Sequence, residues 1–388
     1  MAEFRALAKF LDELAEKTDP GNECIVTVGH EEVFRHRAGY ADVESKTPIT
    51  GDELYYMWSV SKVPTCTAFL TLVENGVVSL DDPVSKYIPE FASQRKFAEG
   101  GYTPVKREMK LFNLITMTSG LSYDSDFAAF MEMKKDPGNP IRTMDFARAA
   151  GSKILSFEPG QAWLYGLSHD ILAAVCEAAS GMRFSDFVKA KVFDPLGMKD
   201  SSFKPVSEDD KRRMATQYRY DWDRNIRVRT NNTNGFIFGD EYESGGAGLV
   251  STASDCSLLA EALANGGVGR NGNRILKAET IDDMRRNRLT PELITSKGFR
   301  EFHYLKGYGY GLGVRTMINP HGIRDGYAVP GEFGWDGAAG SVLLADPENR
   351  VSLFYARHML EGGTELEDLR PRMYEGLFEA GLIEKKEY

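Results

Sequence analysis

The run Ser59-Val60-Ser61-Lys62 places a hydroxyl and an ammonium one helical turn apart. Such a pair can make a serine nucleophilic without a histidine, the lysine helping to handle the hydroxyl proton while the oxygen attacks a carbonyl. The chemistry also needs a further proton carrier, N–H donors for the oxyanion and a group that protonates the leaving atom. Ser-x-x-Lys arises by chance about once or twice in a chain of this length at ordinary composition. A second copy does stand at Ser201-Ser202-Phe203-Lys204, directly before Pro205. The residues C-terminal to each copy separate the two. After the first copy, Val63 to Asn75 carries Ala68, Phe69, Leu70, Leu72 and Val73 with helical spacing, and Gly76 stands where a left-handed cap belongs. Pro64 is admissible only in a first turn, so the helix begins close to Ser61. Ser59 then sits at the amino end of the helix, where the dipole and free N–H groups favour negative charge. The second copy has no such helix and reads as a loop.

A histidine-based triad is the first competitor. No G-x-S-x-G elbow occurs, and His30, His36, His303, His321 and His358 fall on the first hairpin, in polar loops or at the end of the last strand, where none stands out as a base. A tyrosine can serve instead. The turn Glu158-Pro159-Gly160-Gln161 leads to Tyr165, just before a helix over Ser168 to Ala179. A free phenol titrates at about 10, and an adjacent ammonium lowers that value. Ser59, Lys62 and Tyr165 thus make a workable proton relay that needs no cofactor. Cys24, Cys66, Cys176 and Cys256 are scattered without a C-x-x-C pair, which speaks against disulfides or a zinc site. The last three are expected to pack as small apolar groups on helices. The glycine-rich stretches Gly245 to Gly248 and Gly307 to Gly313 match neither nucleotide-binding pattern.

The elements that must position these residues begin with an amphipathic helix. MAEFRALAKFLDELAEK sets Phe4, Leu7, Phe10, Leu11 and Leu14 on one face and is not a signal peptide. Glu23 to His30 and Val33 to Ala41 form a hairpin. From Leu80 to about residue 290 helices and loops prevail, with helices over Leu111–Met117, Phe127–Lys134, Thr143–Ala150, Ser168–Ala179, Phe184–Val192, Ser254–Asn265 and Ala278–Arg286. Strands return near the end: Tyr308 to Val314 as a strand close to other backbone, then a hairpin of Ser341–Ala345 and Val351–Ala356 around Asp346-Pro347-Glu348-Asn349. A last helix over Leu366 to Ala380 contains Pro371 and should begin late or bend. The expected architecture is α+β, a sheet domain built from 1–62 and 299–388 with a mostly helical insertion, 63–298, and the site between them.

The 388 residues carry 42% hydrophobic content and a formal net charge of −10, which argues against nucleic acid or an anionic membrane as partner. No apolar stretch reaches the roughly 20 residues that span a bilayer. With no export signal read, a cytoplasmic location is the default expectation.

Several segments, in this order, resemble the serine β-lactamase and penicillin-binding-protein superfamily, on the side of class C β-lactamases and the related family VIII carboxylesterases. They are Leu72-Val73-Glu74-Asn75-Gly76 with Leu80-Asp81-Asp82-Pro83; Leu114 to Leu121; Pro159-Gly160 to Tyr165; Phe193-Asp194-Pro195-Leu196-Gly197-Met198; Gly245 to Leu249 with Ser251-Thr252; and Gly334-Trp335-Asp336-Gly337 ahead of Asp346-Pro347. The resemblance implies a β-lactamase/transpeptidase-like fold with an antiparallel sheet flanked by helices. It implies Ser59 as acylated nucleophile, Lys62 as the lysine of the first motif and Tyr165 as the tyrosine of the second. The third motif falls at Trp335-Asp336-Gly337, with the backbone N–H groups of Ser59 and Ala338 as the oxyanion hole.

The departures from the pattern are chemical. Leu167 stands where the second motif usually has asparagine, and the lysine and threonine of the third motif are replaced by Trp335 and Asp336. The replaced groups hold a β-lactam's amide and carboxylate, so the resemblance points to the esterase branch and an uncharged acyl group. Asp336 is expected to face solvent or a basic partner, because its charge would oppose an oxyanion. Tyr123, Trp163, Phe236 and Tyr308 are candidate pocket walls, and Leu167, Trp335, Asp336, Gly337 and Tyr123 candidate substrate contacts. The expected function is a carboxylesterase acting on small or medium acyl esters, its partner a small-molecule ester or amide. A peptidase or amidase acting on D-amino-acid peptides or β-lactams is the alternative, and a non-catalytic binding or assembly protein of the same fold is another; the oligomeric state is left open.

Overall fold

The computed structural model describes residues 3–123, 140–203, 207–236, 241–323 and 327–388. Its main sheet has eight strands: β1 (Gly21–Val28), β2 (Glu31–Asp42), β3 (Thr47–Pro48), β4 (Tyr308–Tyr310), β5 (Arg315–Met317), β6 (Phe333–Asp336), β7 (Val342–Asp346) and β8 (Val351–Arg357). They lie in the order β4-β5-β6-β7-β8-β1-β2-β3, every neighbouring pair antiparallel. The two ends of the chain meet at the centre, where Cys24 of β1 stands opposite Tyr355 of β8. β1 and β8 are buried along nearly their whole length, as strands covered on both faces must be. Helices α1 (Arg5–Lys17) and α5 (Leu366–Glu379) cover one face, where Asn22 donates to Leu11 O and Tyr355 to Asp19. Helix α4 (Ala253–Ala264) covers the other. The apolar face of α1 is the expected one: Phe4, Leu7 and Leu11 are buried, with Phe10 and Leu14 packed beside them.

Helix α2 (Lys62–Glu74) follows a 3₁₀ turn, Trp58–Ser61, and is buried from Lys62 through Leu72. An apolar-all-round helix of this kind belongs in the middle of a protein. Helix α3 (Ser168–Ser180), likewise buried over its first nine residues, packs against α2. Cys66, Cys176 and Cys256 are buried within α2, α3 and α4, and Cys24 within β1, all as free thiols.

Several expectations need correction. Tyr308 to Val314 is not one strand. β4 ends at Tyr310, Gly311 N–H donates to Val314 O, and the chain reverses into β5. A Cβ on Gly311 would collide with the Met284 carbonyl, and Gly313 has φ +83 with Cys66 against it, so the glycines permit a turn against α2 rather than a strand. Helix α5 does not begin late: it starts at Leu366, with Pro371 inside it. The burial of Leu366, Leu369, Met373, Tyr374 and Leu377 outweighs a proline cost of about 3 kcal/mol. The middle of the chain also holds short strands: Arg95–Ala98 paired with Gly101–Pro104 and Ile154–Leu155, Tyr218–Asp221 paired with Ile226–Arg229 and Met359–Leu360, and Val250–Ser251 paired with Tyr55–Tyr56. They are too short for a period-two pattern to stand out, and several of their partners lie far along the chain. The helix expected from Phe184 is α-helical only to Val188 and continues as a π turn, Lys189–Phe193. The helix expected over Phe127–Lys134 lies outside the described residues.

Candidate active site

The Trp58–Ser61 turn is fastened from several sides. Met57 N–H donates to Leu249 O at 2.9 Å, Leu249 N–H donates to Ser61 Oγ at 2.9 Å, and the Ser61 hydroxyl donates to Trp58 O. Trp58 adopts φ +48, a left-handed conformation that costs a bulky residue about 1–3 kcal/mol. Its indole holds that conformation by donating to Gln217 Oε1 at 3.1 Å and by setting its ring edge-on to Phe236. The strained residue is the one just before Ser59, so the turn that aims the Ser59 hydroxyl is over-determined by its surroundings.

Lys62, at the first position of α2, is fully buried. Its Nζ donates to Gly246 O at 2.7 Å and to Ser59 Oγ at 3.2 Å, and lies 4.6 Å from the centre of the Tyr165 ring. Ser59 and Lys62 are therefore brought together with Tyr165, which lies more than a hundred residues further along the sequence. Lys62 meets Tyr165 across its ring face, and the Tyr165 hydroxyl accepts from Trp335 Nε1 at 3.0 Å. The second Ser-x-x-Lys copy is held differently. Ser201 donates to Asp255 at 2.8 Å and Ser202 bridges to Val250, while Lys204 lies outside the described residues.

β6 supplies the opposite edge. Trp335 is buried, its ring 5.5 Å from that of Tyr165 and edge-on to Tyr310 at 5.3 Å. A Cβ on Gly337 would collide with the Met57 carbonyl, so the end of β6 lies flush against the nucleophile turn and brings exposed Ala338 beside it. Tyr123 packs against Tyr165 (5.8 Å) and Phe236 (5.6 Å), which closes an aromatic cup of Trp58, Phe236, Tyr123, Tyr165 and Trp335. Burial, reinforced by Tyr165 and Asp170 nearby, pushes the Tyr123 phenol well above its ordinary value and keeps it a neutral hydroxyl. Trp163 stacks behind Tyr165, and Tyr308, a buried residue of β4, donates to Glu332.

Two residues expected at the substrate do not reach it. Leu167 is buried in the core at the N-cap of α3. Asp336 follows Trp335 on a strand, so its side chain points to the opposite face. There it accepts from Arg315 Nη1 at 2.8 Å, both groups buried: the basic partner rather than solvent. Burial raises the Asp336 carboxyl to about 6, against the lowering pull of Arg315. The folded protein thus binds this proton more tightly than the unfolded chain, whose value is 3.8. The group's contribution to stability is full below the unfolded value and is lost as pH rises through the folded one, a gap worth about 3 kcal/mol. Asp336→Asn mimics the protonated form and removes this dependence. The stability of the wild type relative to that variant, from urea unfolding, should therefore grow by about 2 kcal/mol from about pH 7 to about pH 4.

Other residues that build the site are not legible as such in the sequence. Asp170, fully buried on α3, accepts from Ser244 Oγ at 2.5 Å, Tyr242 Oη at 2.9 Å and Gly246 N at 3.4 Å. It thereby fixes the loop whose Gly246 carbonyl holds Lys62. Burial raises its carboxyl, while Ser244 and Lys62 pull it back. Asn234 donates to Ala247 O at 2.7 Å and Thr65 to Gly245 O at 2.7 Å, which clamp the same loop from outside and beneath. The one sequence signal is Asp170 in the first turn of the helix, immediately ahead of the apolar run Ile171 to Cys176.

A family model described as Beta-lactamase matches residues 7–375. The chain belongs to the Beta-lactamase family. Its curated relatives include esterase EstB of Burkholderia gladioli, 32% identical over 66% of this chain and 68% of that protein. Lovastatin esterase of Penicillium rubens is 30% identical over 65% of this chain and 64% of that one. Among solved structures, EstCE1, a hydrolase with promiscuous acyltransferase activity, superposes with a TM-score of 0.77 over 97% of this chain and all of its own, at 23% identity, which bears on the fold. This Beta-lactamase-family chain is a serine hydrolase with the α+β fold of its β-lactamase and transpeptidase relatives. No helix among the described residues is long and apolar enough to cross a membrane.

Proposed function

We propose that the chain is a carboxylesterase that hydrolyses small or medium acyl esters through an acyl-enzyme on Ser59. The observation that carries this reading is the buried Lys62 ammonium, anchored on Gly246 O and 3.2 Å from Ser59 Oγ, inside a cup walled by aromatic rings. Ser59 Oγ attacks the ester carbonyl and gives its proton to Lys62 as the Lys62 ammonium passes one to the Tyr165 oxygen, which serves as the base in its deprotonated form. The N–H groups of Ser59 and Ala338, from the nucleophile turn and the end of β6, stabilise the oxyanion. The pair returns the proton to the leaving alcohol oxygen as the ester C–O bond breaks. Water then repeats the sequence in reverse and frees the acid and the serine. Trp335, by donating to the Tyr165 hydroxyl, holds that oxygen in place. The site lies between the sheet unit, 1–62 with 299–388, and the helical unit, 63–298.

The absence of a cation at Trp335 and of an amide at Leu167 to receive a substrate carboxylate or amide supports esters over β-lactams and D-amino-acid peptides. Intact-mass measurement separates these readings. Exposure to a p-nitrophenyl butyrate should give rapid turnover, whereas penicillin should label slowly and to a small extent. Rapid, complete penicillin labelling with slow ester turnover would instead support the amidase or β-lactamase reading. A phosphonate probe that fails to label folded protein would support a non-catalytic binding role.

A further inference from the structure

Residues between Ile294 and Tyr308 line an open hollow of about 650 Å³ beside the aromatic cup, within the range of small-molecule sites. Ile294, Phe299, Phe302 and Leu305 line it with hydrocarbon, and the exposed basic residues Lys297, Arg300, His303 and Lys306 complete its lining. In a chain of net charge −10, four basic residues spaced every third position are a local reversal of sign. Glu301 is the acidic group in the same lining and lies 3.9 Å from Lys297 Nζ, while Glu367 borders the adjoining hollow on the far side of residues 301–306. Among the described residues Arg300 and Lys306 form no ion pair. The hollow also abuts the reaction site. The Phe302 ring forms part of its wall and packs on Tyr165 at 5.1 Å and Trp335 at 6.4 Å, and Phe299 packs on Trp163 at 5.1 Å.

We propose that this hollow binds a straight-chain carboxylate, its tail against Phe299 and Phe302 and its carboxylate at Arg300 and Lys306. An apolar pocket alone would favour any hydrocarbon. Arg300 and Lys306, which have no ion-pair partner among the described residues, select an anionic head group, because a charged head at their exposed ends keeps much of its solvation while gaining two ion pairs. The same chemistry is offered by a free fatty acid, the kind of product an esterase releases, and by the distal carboxylate of a half-ester. The inference concerns binding and does not depend on the esterase reading.

The test uses Ser59→Ala protein, so that no turnover intervenes, titrated calorimetrically with octanoate, with octanol and with the monoethyl ester of suberic acid. Tryptophan fluorescence serves as a second readout, since Trp163 packs against both phenylalanines and Trp335 against Phe302. Octanoate should bind at one saturable site, and octanol about tenfold more weakly or worse. Arg300→Glu with Lys306→Glu, both at exposed positions, should weaken octanoate by about tenfold or more with an unchanged unfolding midpoint. Tighter binding of the half-ester than of octanoate would identify the substrate's own tail as the occupant, and the reverse would identify free acid. Equal affinity for octanol and octanoate, indifference to the double charge reversal, or no saturable octanoate binding would each overturn the proposal.

Discussion

Ser59→Ala should lower kcat for a p-nitrophenyl ester by about 10⁵- to 10⁶-fold, to the level left by binding and oxyanion donors alone. The fold should survive. Ser59 is only half-buried, and the turn that holds it is fastened through Met57, Trp58 and Ser61 rather than through the Ser59 hydroxyl. A change at Ser61 should behave differently, because Ser61 Oγ accepts from Leu249 N–H while donating to Trp58 O. The kinetic measurement is paired with circular dichroism and an unfolding curve. A variant that retains its fold and more than about a hundredth of the activity would show that another group carries the nucleophilic step.

Lys62→Met should cost about 10³- to 10⁴-fold in kcat, the upper range for loss of a positioned proton carrier. Methionine keeps the length and apolar packing of the side chain while removing the donor to Ser59 Oγ and Gly246 O. The substitution leaves the Gly246 carbonyl without its ammonium partner, although Asp170, Asn234 and Thr65 still hold the loop. Stability should therefore fall by no more than about 1–3 kcal/mol. Both acylation and deacylation pass a proton through this group, so single-turnover kinetics should show both steps slowed. A variant slowed only in deacylation would restrict Lys62 to activating water.

Much of the site is legible in the sequence because its defining signals are local. Ser59 and Lys62 are one turn apart, Pro64 fixes where the helix begins, and the apolar run to Leu72 shows that the helix is central. Tyr165 is marked by the turn before it and by its place ahead of a helix. The remainder depends on partners that only the fold brings together. Arg315 is 21 residues from Asp336 and reaches it because β5 and β6 pair, which decides that the Asp336 carboxylate lies under the sheet and not at the substrate. The Trp335 indole finds the Tyr165 hydroxyl across 170 residues. Asp170 and Gly246 act through the shape of a loop, and a backbone carbonyl that anchors Lys62 has no residue-type signature at all. The broken strand at Gly311 shows the same limit. Its glycines mark a place of close approach, yet the close approach to Met284 and Cys66 forces a turn.

The central claim is a covalent acyl group on Ser59, and rapid acid quench during turnover of p-nitrophenyl butyrate, followed by peptide mass spectrometry, tests it most directly. The peptide that contains Ser59 should carry one butyryl group in the wild type and none in Ser59→Ala. Butyrylation that persists in Ser59→Ala, or turnover by the wild type with no trapped adduct on that peptide even when deacylation is slowed, would contradict the account.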